Sequence, residues 1–401
     1  MKILILSNRV PFPQNGGYPI VVRNTILGLV NEGHEVSVFT LNNKNQRGIS
    51  LDNDDELIRR IYYQSYDIDI RLSPWQFILN LVGRRTYNVD RFYDVGFEKV
   101  LINELKRVQY DIIQFEGLFM SSYLPAIRKN STAKLVYRAH NIEHLIWQRL
   151  SEQKADPIKK TYLRLLAKRI KAYELKYLNI FDAIVTLTGQ DKQLMLQYGS
   201  RVPIKVMPVG IDLTRYKPDY SKTEFPSLFF LGALDWMPNR EGMEWFLDNF
   251  SADITDGELR VKFYVGGKNI PERFDEYEVM GKIFIQGEVD DALEFVNSKS
   301  IMVVPLLSGG GMRVKIVEGM AMQKCIITTT LGAEGLHYSN GDNILIANDR
   351  DEFFSAIKRC IGDEEYCKRI GINARLLIEQ EHDTNVVTEK FINFYQQLLG
   401  A

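Results

Sequence analysis

Short, continuously apolar runs, each followed by a helical pattern, constrain the fold of this chain more than any other feature. In the first half these runs are ILILS (3–7), EVSVFT (35–40), DIIQFE (111–116), AKLVYRAH (133–140) and AIVTLT (183–188). A strand that is covered on both faces is apolar throughout and does not alternate with polar residues. Such strands, alternating with helices, predict a doubly wound α/β domain.

A second series of the same kind occupies the other half of the chain. Its runs are SLFFLGAL (227–234), VKFYVGG (261–267), KIFIQGEV (282–289), SIMVVPLL (300–307) and KCIITTT (324–330). The stretch between the two series, 201–218, has three prolines and a glycine, which is typical of a connection between domains.

We therefore predict two Rossmann-like domains, residues 1–203 and 204–380, and a C-terminal helix over 381–401 that packs back on the first domain. Two such domains facing each other leave a cleft between the carboxyl edges of their sheets. Ligands of open α/β sheets bind at that edge, so the cleft is the expected site.

Composition excludes several classes of protein. The 401 residues have a formal net charge of -1, which argues against general nucleic-acid binding. No apolar run approaches the roughly 18 residues of a membrane-spanning helix, and the N-terminal run is too short for a signal peptide. The three cysteines leave an odd number for pairing and show no metal-ligand spacing, which favours a reducing, cytoplasmic compartment.

The sequence SGGGMRVKIVE (308–318) is the strongest candidate site. A glycine run lets backbone N–H groups approach an anion without a Cβ in the way, and a helix N-terminus adds positive potential. Arg313 and Lys315 increase that potential in a turn where acids are normally favoured. Glu318 lies one turn further on the same helix face, where it could accept hydrogen bonds from ribose hydroxyls. The expected donor contacts here are Gly309, Gly310, Gly311, Met312, Arg313, Lys315 and Glu318.

This segment has other possible interpretations. It could be a plain connection capped by Ser308 with two solvated cations. The Walker A pattern is absent, which argues against an ATPase or GTPase. The dinucleotide fingerprint fails because Val314 occupies its third glycine position, although Glu334 lies about 20 residues further, where a dehydrogenase would hold ribose.

The chain resembles the family 4 glycosyltransferases, which have the GT-B fold of two facing Rossmann-like domains. The resemblance covers essentially the whole chain. It rests on PFPQNGG (11–17), RAHNIEH (138–144), VMPVGID (206–212), LGALDWMPNREGMEWF (231–246), GEVDD (287–291) and SGGGMRVKIVEGMAMQKCIITTTLGAEGL (308–336). It implies an enzyme that transfers a sugar from a UDP- or GDP-linked donor with retention of configuration, without a metal or cofactor. The donor would bind mainly to the C-terminal domain and the acceptor mainly to the N-terminal one.

Two departures from the family pattern affect the donor site. The second glutamate of the E-x7-E motif matches Glu318, but the first falls on Gly310, as in members with a GGG-x-R-x-K-x-x-E loop. Many relatives also have an arginine just after the glycine of the LGAL strand and a lysine further along, where this chain has Ala233 and Glu241. Arg313 and Lys315 would replace that charge and stabilise the departing diphosphate.

The resemblance also implies roles for residues at other strand ends. His140, at the end of KLVYRAH, would lie near the transferred sugar and, with Arg313 and Lys315, act in catalysis. Glu116 and Glu143 are the expected acceptor contacts, although HNIEH could instead form a local capping network. Gly16 and Gly17 would let the acceptor or a donor phosphate approach the N-terminal domain, or they form a plain turn.

Three further polar positions are open to two interpretations. Asn239 would help to hold the donor, or would cap the next helix. The position of Asp290 and Asp291 favours capping of a helix over 291–298 rather than binding of the nucleotide base. Asp67 and Asp69 form a D-x-D sequence, but their setting favours an edge strand or loop over a metal site.

The segment 154–177 has eight Lys or Arg residues and two acids, with apolar residues near helical spacing. A basic amphipathic helix of this kind can rest on anionic lipid at the inner face of a membrane, or it can pack its apolar stripe inward. Lipid contact would make a polyprenyl-linked acceptor, as in bacterial surface-polysaccharide assembly, the natural partner.

The sequence thus predicts a retaining glycosyltransferase acting on a glycan or lipid-linked glycan. The alternatives are a nucleotide-sugar epimerase of the same fold and a non-catalytic protein that binds nucleotides or glycans.

Overall fold

The computed structural model describes residues 1–14, 16–43, 55–71, 87–153 and 156–400. It divides into two compact units: Met1–Gly210 together with Val387–Ala401, and Ile211–Val386. The boundary at Gly210 lies within the stretch 201–218, whose prolines and glycine predict a connection between domains.

The first unit is built on a seven-stranded parallel sheet with strand order β3-β2-β1-β4-β5-β6-β7. Its strands are β1 (Lys2–Ser7), β2 (Glu35–Asn43), β3 (Tyr62–Ile68), β4 (Ile112–Glu116), β5 (Lys134–Ala139), β6 (Ala183–Thr186) and β7 (Ile204–Val206). The five strands expected from apolar runs are present, because each is buried on both faces. No apolar run predicts β7, and the setting of β3 favours an edge strand or a loop.

Helices cover both faces of this sheet. They are α1 (Gly17–Asn31), α2 (Tyr87–Asp90), α3 (Val95–Arg107), α4 (Leu124–Asn130), α5 (Glu143–Gln153), α6 (Pro157–Tyr177) and α7 (Gly189–Gln197), with 3-10 turns at Ile58–Arg60 and Leu118–Tyr123. One core lies on the face that contains Leu4, Phe115 and Tyr137. The other lies on the face that contains Ile5 and Val136.

The second unit has a six-stranded parallel sheet with strand order β10-β9-β8-β11-β12-β13. Its strands are β8 (Glu224–Leu231), β9 (Lys262–Gly266), β10 (Ile283–Gly287), β11 (Lys299–Val304), β12 (Cys325–Thr328) and β13 (Leu345–Ile346). Its helices are α8 (Met237–Thr255), α9 (Ala292–Asn297), α10 (Val314–Ala321), α11 (Arg350–Gly362) and α12 (Glu364–Glu381), with 3-10 turns at Tyr220–Lys222 and Glu272–Tyr277.

The last helix, α13 (Thr384–Gly400), belongs to the first unit from Val387 onward. Its apolar side chains Phe391 and Tyr395 are buried in the core that also contains Ile5 and Val136. Burial of a large apolar side chain contributes about 1.5–3 kcal/mol, so these two residues hold the helix firmly on its sheet.

Candidate donor and acceptor sites

The glycine loop between β11 and α10 has a backbone that needs glycine at two positions. Gly309 and Gly311 both have positive φ, which side chains with a Cβ rarely adopt. A Cβ on Gly309 would also meet the Pro238 ring at 3.2 Å. The loop therefore keeps its backbone bare where it leads into the helix.

The N-terminus of α10 carries positive potential with no nearby acid in its own first turn. The helix begins at Val314, its N-cap residue is Arg313, and no side chain caps it. Arg313 is only 5 % exposed, and its guanidinium lies 5.6 Å from the centre of the Trp236 ring while donating to the Gly310 carbonyl. The interpretation of 308–318 as a plain connection with solvated cations is therefore wrong.

Lys315 is held in a fixed place beside the end of β8. Its Nζ donates to Asn239 Oδ1 at 2.8 Å and lies 4.1 Å from the centre of the Phe230 ring. Burial of the ammonium, with the nearby Arg313 charge, lowers the pKa of Lys315 to about 7. A group with this pKa gains a proton readily when an anion arrives.

Asn239 connects Lys315 to the loop after β8. Its Nδ2 donates to the Ala233 carbonyl at 2.7 Å, while its Oδ1 accepts from Lys315. The helix that it belongs to, α8, starts at Met237 without a side-chain cap. The capping interpretation of Asn239 is therefore wrong, and donor contact by this residue stays a prediction.

Glu318 lies one turn into α10 and accepts a hydrogen bond from Tyr216 Oη at 2.7 Å. Burial raises the pKa of its carboxyl, although the Tyr216 hydrogen bond and the Lys315 charge oppose the rise. One acid does reach the loop from outside, since Ser308 Oγ donates to Glu241 Oε2 at 3.1 Å. Ser308 thus bonds to a carboxylate rather than capping a helix.

Within the first unit, the PFPQNGG turn leads into α1. Gly16 has positive φ and precedes a helix that has neither a side-chain cap nor an acid in its first turn. A Cβ on Gly16 would meet nothing within 4 Å. Asn15 lies outside the described residues. The contacts expected for Gly16 and Gly17 stay predictions, as does that of the buried Met312.

His140 and Glu116 form a buried pair at the carboxyl ends of β5 and β4. His140 Nε2 lies 2.6 Å from Glu116 Oε2, and Arg138 Nη1 lies 3.5 Å from Glu116 Oε1. Burial raises the pKa of Glu116, but the Arg138 charge and the His140 hydrogen bond outweigh it, so the net shift is downward. Burial also lowers the pKa of His140, despite the opposing Glu116 carboxylate. The pair is therefore a neutral imidazole donating Nε2–H to a carboxylate.

This arrangement changes the role expected for Glu116. Its side chain is fully buried, and its oxygens contact Gln114, Arg138 and His140 within the unit. The centre of the Tyr18 ring lies 4.6 Å from the centre of the His140 ring. Glu116 therefore holds the His140 ring in this structure, and direct acceptor contact by Glu116 stays a prediction.

The rest of the HNIEH segment is tied to α6. His144 Nδ1 lies 2.6 Å from Glu174 Oε2, and the backbone N–H of Glu143 donates to Glu174 Oε1 at 3.1 Å. Burial and the neighbouring Glu174 raise the pKa of Glu143 to about 7. The segment therefore does not cap itself, because the carboxylate that accepts from the Glu143 N–H belongs to Glu174, on α6. Acceptor contact by Glu143 stays a prediction.

The basic helix packs most of its apolar stripe inward. Leu166 is buried, and Tyr162 and Tyr173 pack on the same core, whereas Ile158 is 80 % exposed and Leu165 is partly exposed. Among the described residues, no helix combines the length and the apolar character needed to cross a bilayer.

Contacts within the protein involve three aspartates of the two acidic pairs, Asp291, Asp67 and Asp69. Asp291 caps α9, accepting from the backbone of Leu293 and Glu294, as the capping interpretation predicted. Asp67 lies on β3, an edge strand, and accepts from Asn42 at 2.8 Å. Asp69, just after β3, pairs with Arg71.

The structure brings together three cysteines whose sequence spacing gave no sign of it. Cys325, Cys360 and Cys367 are buried, and their Sγ atoms all lie within 4.8 Å of one another. They belong to β12, α11 and α12, so only the fold makes them neighbours. Three thiols at this spacing could hold a metal ion.

Comparison with known proteins decides the family. The family model described as Glycosyltransferase Family 4 matches residues 15–215, and the one described as Glycosyl transferases group 1 matches residues 225–363. The chain belongs to the family 4 glycosyltransferases. It is a glycosyltransferase, as the resemblance of its motifs predicted.

Curated relatives are distant in sequence. The chain is 22% identical to a 44.6 kDa protein in the cps region of Klebsiella pneumoniae, over 96% of this chain and 97% of that one. It is 21% identical to the capsular polysaccharide biosynthesis glycosyltransferase CapM of Staphylococcus aureus, over 53% of this chain and 57% of that one.

Solved structures share the whole fold. Sucrose-phosphate synthase from Thermosynechococcus elongatus matches with a TM-score of 0.75 at 14% identity, covering 100% of both chains. Anabaena HepE in complex with UDP-glucose matches with a TM-score of 0.67 at 15% identity, covering 99% of this chain and 100% of that one. The glycosyltransferase therefore has the GT-B fold, in which each unit is a parallel α/β sheet.

Proposed function

We propose that this glycosyltransferase moves a sugar, with retention of configuration, from a nucleotide-sugar donor to a glycan or lipid-linked glycan of a bacterial surface polysaccharide. The carrying observation is the pair of basic side chains, Arg313 and Lys315, fixed at an uncapped helix N-terminus behind a glycine loop. HepE, which shares the fold, was solved with UDP-glucose and with UDP and glucose. The similarity to CapM, a capsular polysaccharide biosynthesis glycosyltransferase, supports a role in capsular polysaccharide synthesis.

The charge to be stabilised sets the proposed mechanism. Breaking the bond between the sugar and the donor diphosphate leaves negative charge on the phosphate oxygens. Arg313, Lys315 and the α10 N–H groups would stabilise that charge most strongly in the transition state. Loss of one such preorganised donor typically lowers kcat about 10²–10³-fold. Glu318, one turn further on, would accept hydrogen bonds from the donor ribose.

No protein base is required in this scheme. The leaving phosphate would help to deprotonate the acceptor hydroxyl at the front face of the sugar, and no metal would be needed. His140 would contact the transferred sugar as a neutral hydrogen-bonding group, in keeping with its lowered pKa.

The experiment begins with a thermal-shift screen of nucleoside diphosphates and nucleotide sugars, both UDP- and GDP-linked. A ligand at about 100 times its dissociation constant should stabilise the protein by about 2.7 kcal/mol. The nucleotide sugar that shifts the melt is then incubated with and without glycan acceptors. The anomeric configuration of the product is read by NMR.

Arg313→Ala and Lys315→Ala should each abolish most transfer, whereas Lys262→Ala, at a solvent-exposed ion pair with Glu224, should leave it unchanged. If no nucleotide shifts the melt, the donor assignment fails. If the sugar is interconverted without an acceptor, the protein is an epimerase and the transfer proposal is wrong.

We further propose that α6 contacts an anionic membrane surface that carries the acceptor. The exposed Ile158 beside Lys159 at the start of this helix supports the idea, since an apolar side chain next to cations suits a lipid headgroup layer. The native protein should co-sediment with vesicles that contain anionic lipid, whereas the Ile158→Asp variant should stay in the supernatant. Equal retention of both would contradict lipid contact by this helix.

A further inference from the structure

The C-terminal helix reaches the pair formed by His140 and Glu116 through a buried chain of hydrogen bonds. Tyr395 Oη, on α13, donates to Gln114 Oε1, and Gln114 Nε2 donates to Glu116 Oε1. Glu116 Oε2 then accepts from His140 at 2.6 Å. Tyr395, Gln114 and Glu116 are all fully buried, so water does not compete for these bonds.

A second contact from the same helix acts on Arg138. The Phe391 ring lies 5.0 Å from the Arg138 guanidinium, whose Nη1 also donates to Thr25 Oγ1 at 2.6 Å. Arg138 is fully buried on β5, and its Nε and Nη2 have no hydrogen-bond partner among the described residues. Its charge is therefore stabilised chiefly by Glu116 and by the face of Phe391.

These two contacts converge on one carboxylate. Gln114 and Glu116 are two residues apart on β4, so their side chains lie on the sheet face that α13 covers. The carboxylate between Gln114, Arg138 and His140 has both oxygens occupied, which fixes its rotamer and hence the direction of the imidazole ring.

We propose that α13 is a positioning element of the site: Tyr395 and Phe391 hold Gln114 and Arg138, which fix the Glu116 carboxylate that orients His140. Tyr395 is thus a positioning residue for the transfer reaction, although it lies two side chains away from His140. The catalytic part of this inference rests on the role proposed for His140, whereas the positioning part can be measured without it.

The decisive variant is Tyr395→Phe, which removes one hydroxyl and keeps the ring. Without that donor, the Gln114 amide is free to rotate away from Glu116, whose charge is then less compensated. The carboxylate should attract the imidazolium more strongly, so the pKa of His140 should rise. The chain has five histidines, which makes assignment of His140 in a ¹⁵N-histidine NMR titration practical.

Activity provides a second readout. With the oriented imidazole loosened, kcat should fall about fivefold, the loss typical of one hydrogen bond, while KM for the donor stays within about twofold. Gln114→Leu cuts the same chain at its middle and should reproduce both effects. Adding Tyr395→Phe to Gln114→Leu should then cause no further change in the His140 titration.

Tyr110→Phe is the matched control. Tyr110 is also a buried tyrosine of the first unit, but its hydroxyl donates to Glu104 at 2.7 Å and does not connect with His140. It should lose stability without altering the titration of His140 or the kcat. An unchanged His140 titration in both Tyr395→Phe and Gln114→Leu would overturn the proposal. A changed titration with unchanged kcat would support positioning and instead refute the role of His140 in transfer.

Discussion

The contact between Gly232 and Lys315 gives a sharp prediction about the donor site. A Cβ built on Gly232 would lie 2.3 Å from Lys315 Nζ, and ordinary van der Waals contact begins at 3.4 Å. Gly232→Ala therefore displaces the ammonium by about 1 Å, the difference between those two distances. It also presses on Asn239 Nδ2, which would lie 3.1 Å from the new Cβ.

This displacement should affect binding far more than folding. The atom that must move is the end of a flexible side chain, and Gly232 does not have positive φ, so unfolding free energy should stay within about 1 kcal/mol of native. A charge-assisted hydrogen bond from Lys315 to a phosphate oxygen would be worth about 1.5–3 kcal/mol. If the donor diphosphate depends on that position, its Kd should rise about 10- to 150-fold.

The assay is calorimetric titration with the nucleoside diphosphate that stabilises the native protein in the thermal-shift screen. Gly362→Ala is the control in the same unit, because a Cβ there would meet nothing within 4 Å. A nucleotide Kd in Gly232→Ala within about twofold of the native value, with folding intact, would refute the placement of Lys315 against the diphosphate.

Two further predictions concern charge. Because the pKa of Lys315 is about 7 and a bound diphosphate raises it, donor affinity should be full below pH 7 and fall as pH rises toward the pKa in the complex. Lys315→Arg, which stays charged, should flatten that dependence above pH 7 in calorimetric titrations, and a flat native profile would contradict the reasoning. Glu174→Gln should lower the unfolding free energy by about 1–3 kcal/mol in urea, because the buried carboxylate holds both His144 and the start of α5. The exposed Glu152→Gln, on the same helix as His144, should change it little, and equal losses would remove the special role of Glu174.

The fold was readable from sequence wherever burial was complete. β1, β4, β5 and β11 lie inside their sheets, and continuous apolar runs predicted each of them. β3 is partly exposed along its length, and β13 spans only Leu345–Ile346, so neither produces a long apolar run. Apolar pattern reports burial on both faces, and it is weak at sheet edges for that reason.

Parts of the site were harder to foresee for a different reason. The charges of Arg313 and Lys315 stand out locally, since they break the rule for a helix N-terminus within a few residues. The buried Arg138 lies within an otherwise apolar strand and depends on Glu116, Thr25 and Phe391, which are distant in sequence. These partners of Arg138 cannot be predicted from a local pattern, because only the sheet order and the last helix bring them next to it.

The departure at Ala233 bears on how the proposed donor site would keep its positive charge. Where many relatives have an arginine after the β8 glycine, this chain has a small residue whose carbonyl accepts from Asn239. Asn239 in turn accepts from Lys315, so a cation from α10 lies against the end of β8, within 4.1 Å of the Phe230 ring centre. An arginine at position 233 would bring a further cation to the loop whose carbonyl accepts from Asn239. The presence of Lys315 at this place therefore depends on the small residues Gly232 and Ala233. Ala233→Arg should raise nucleotide affinity more in the Lys315→Ala variant than in the native protein.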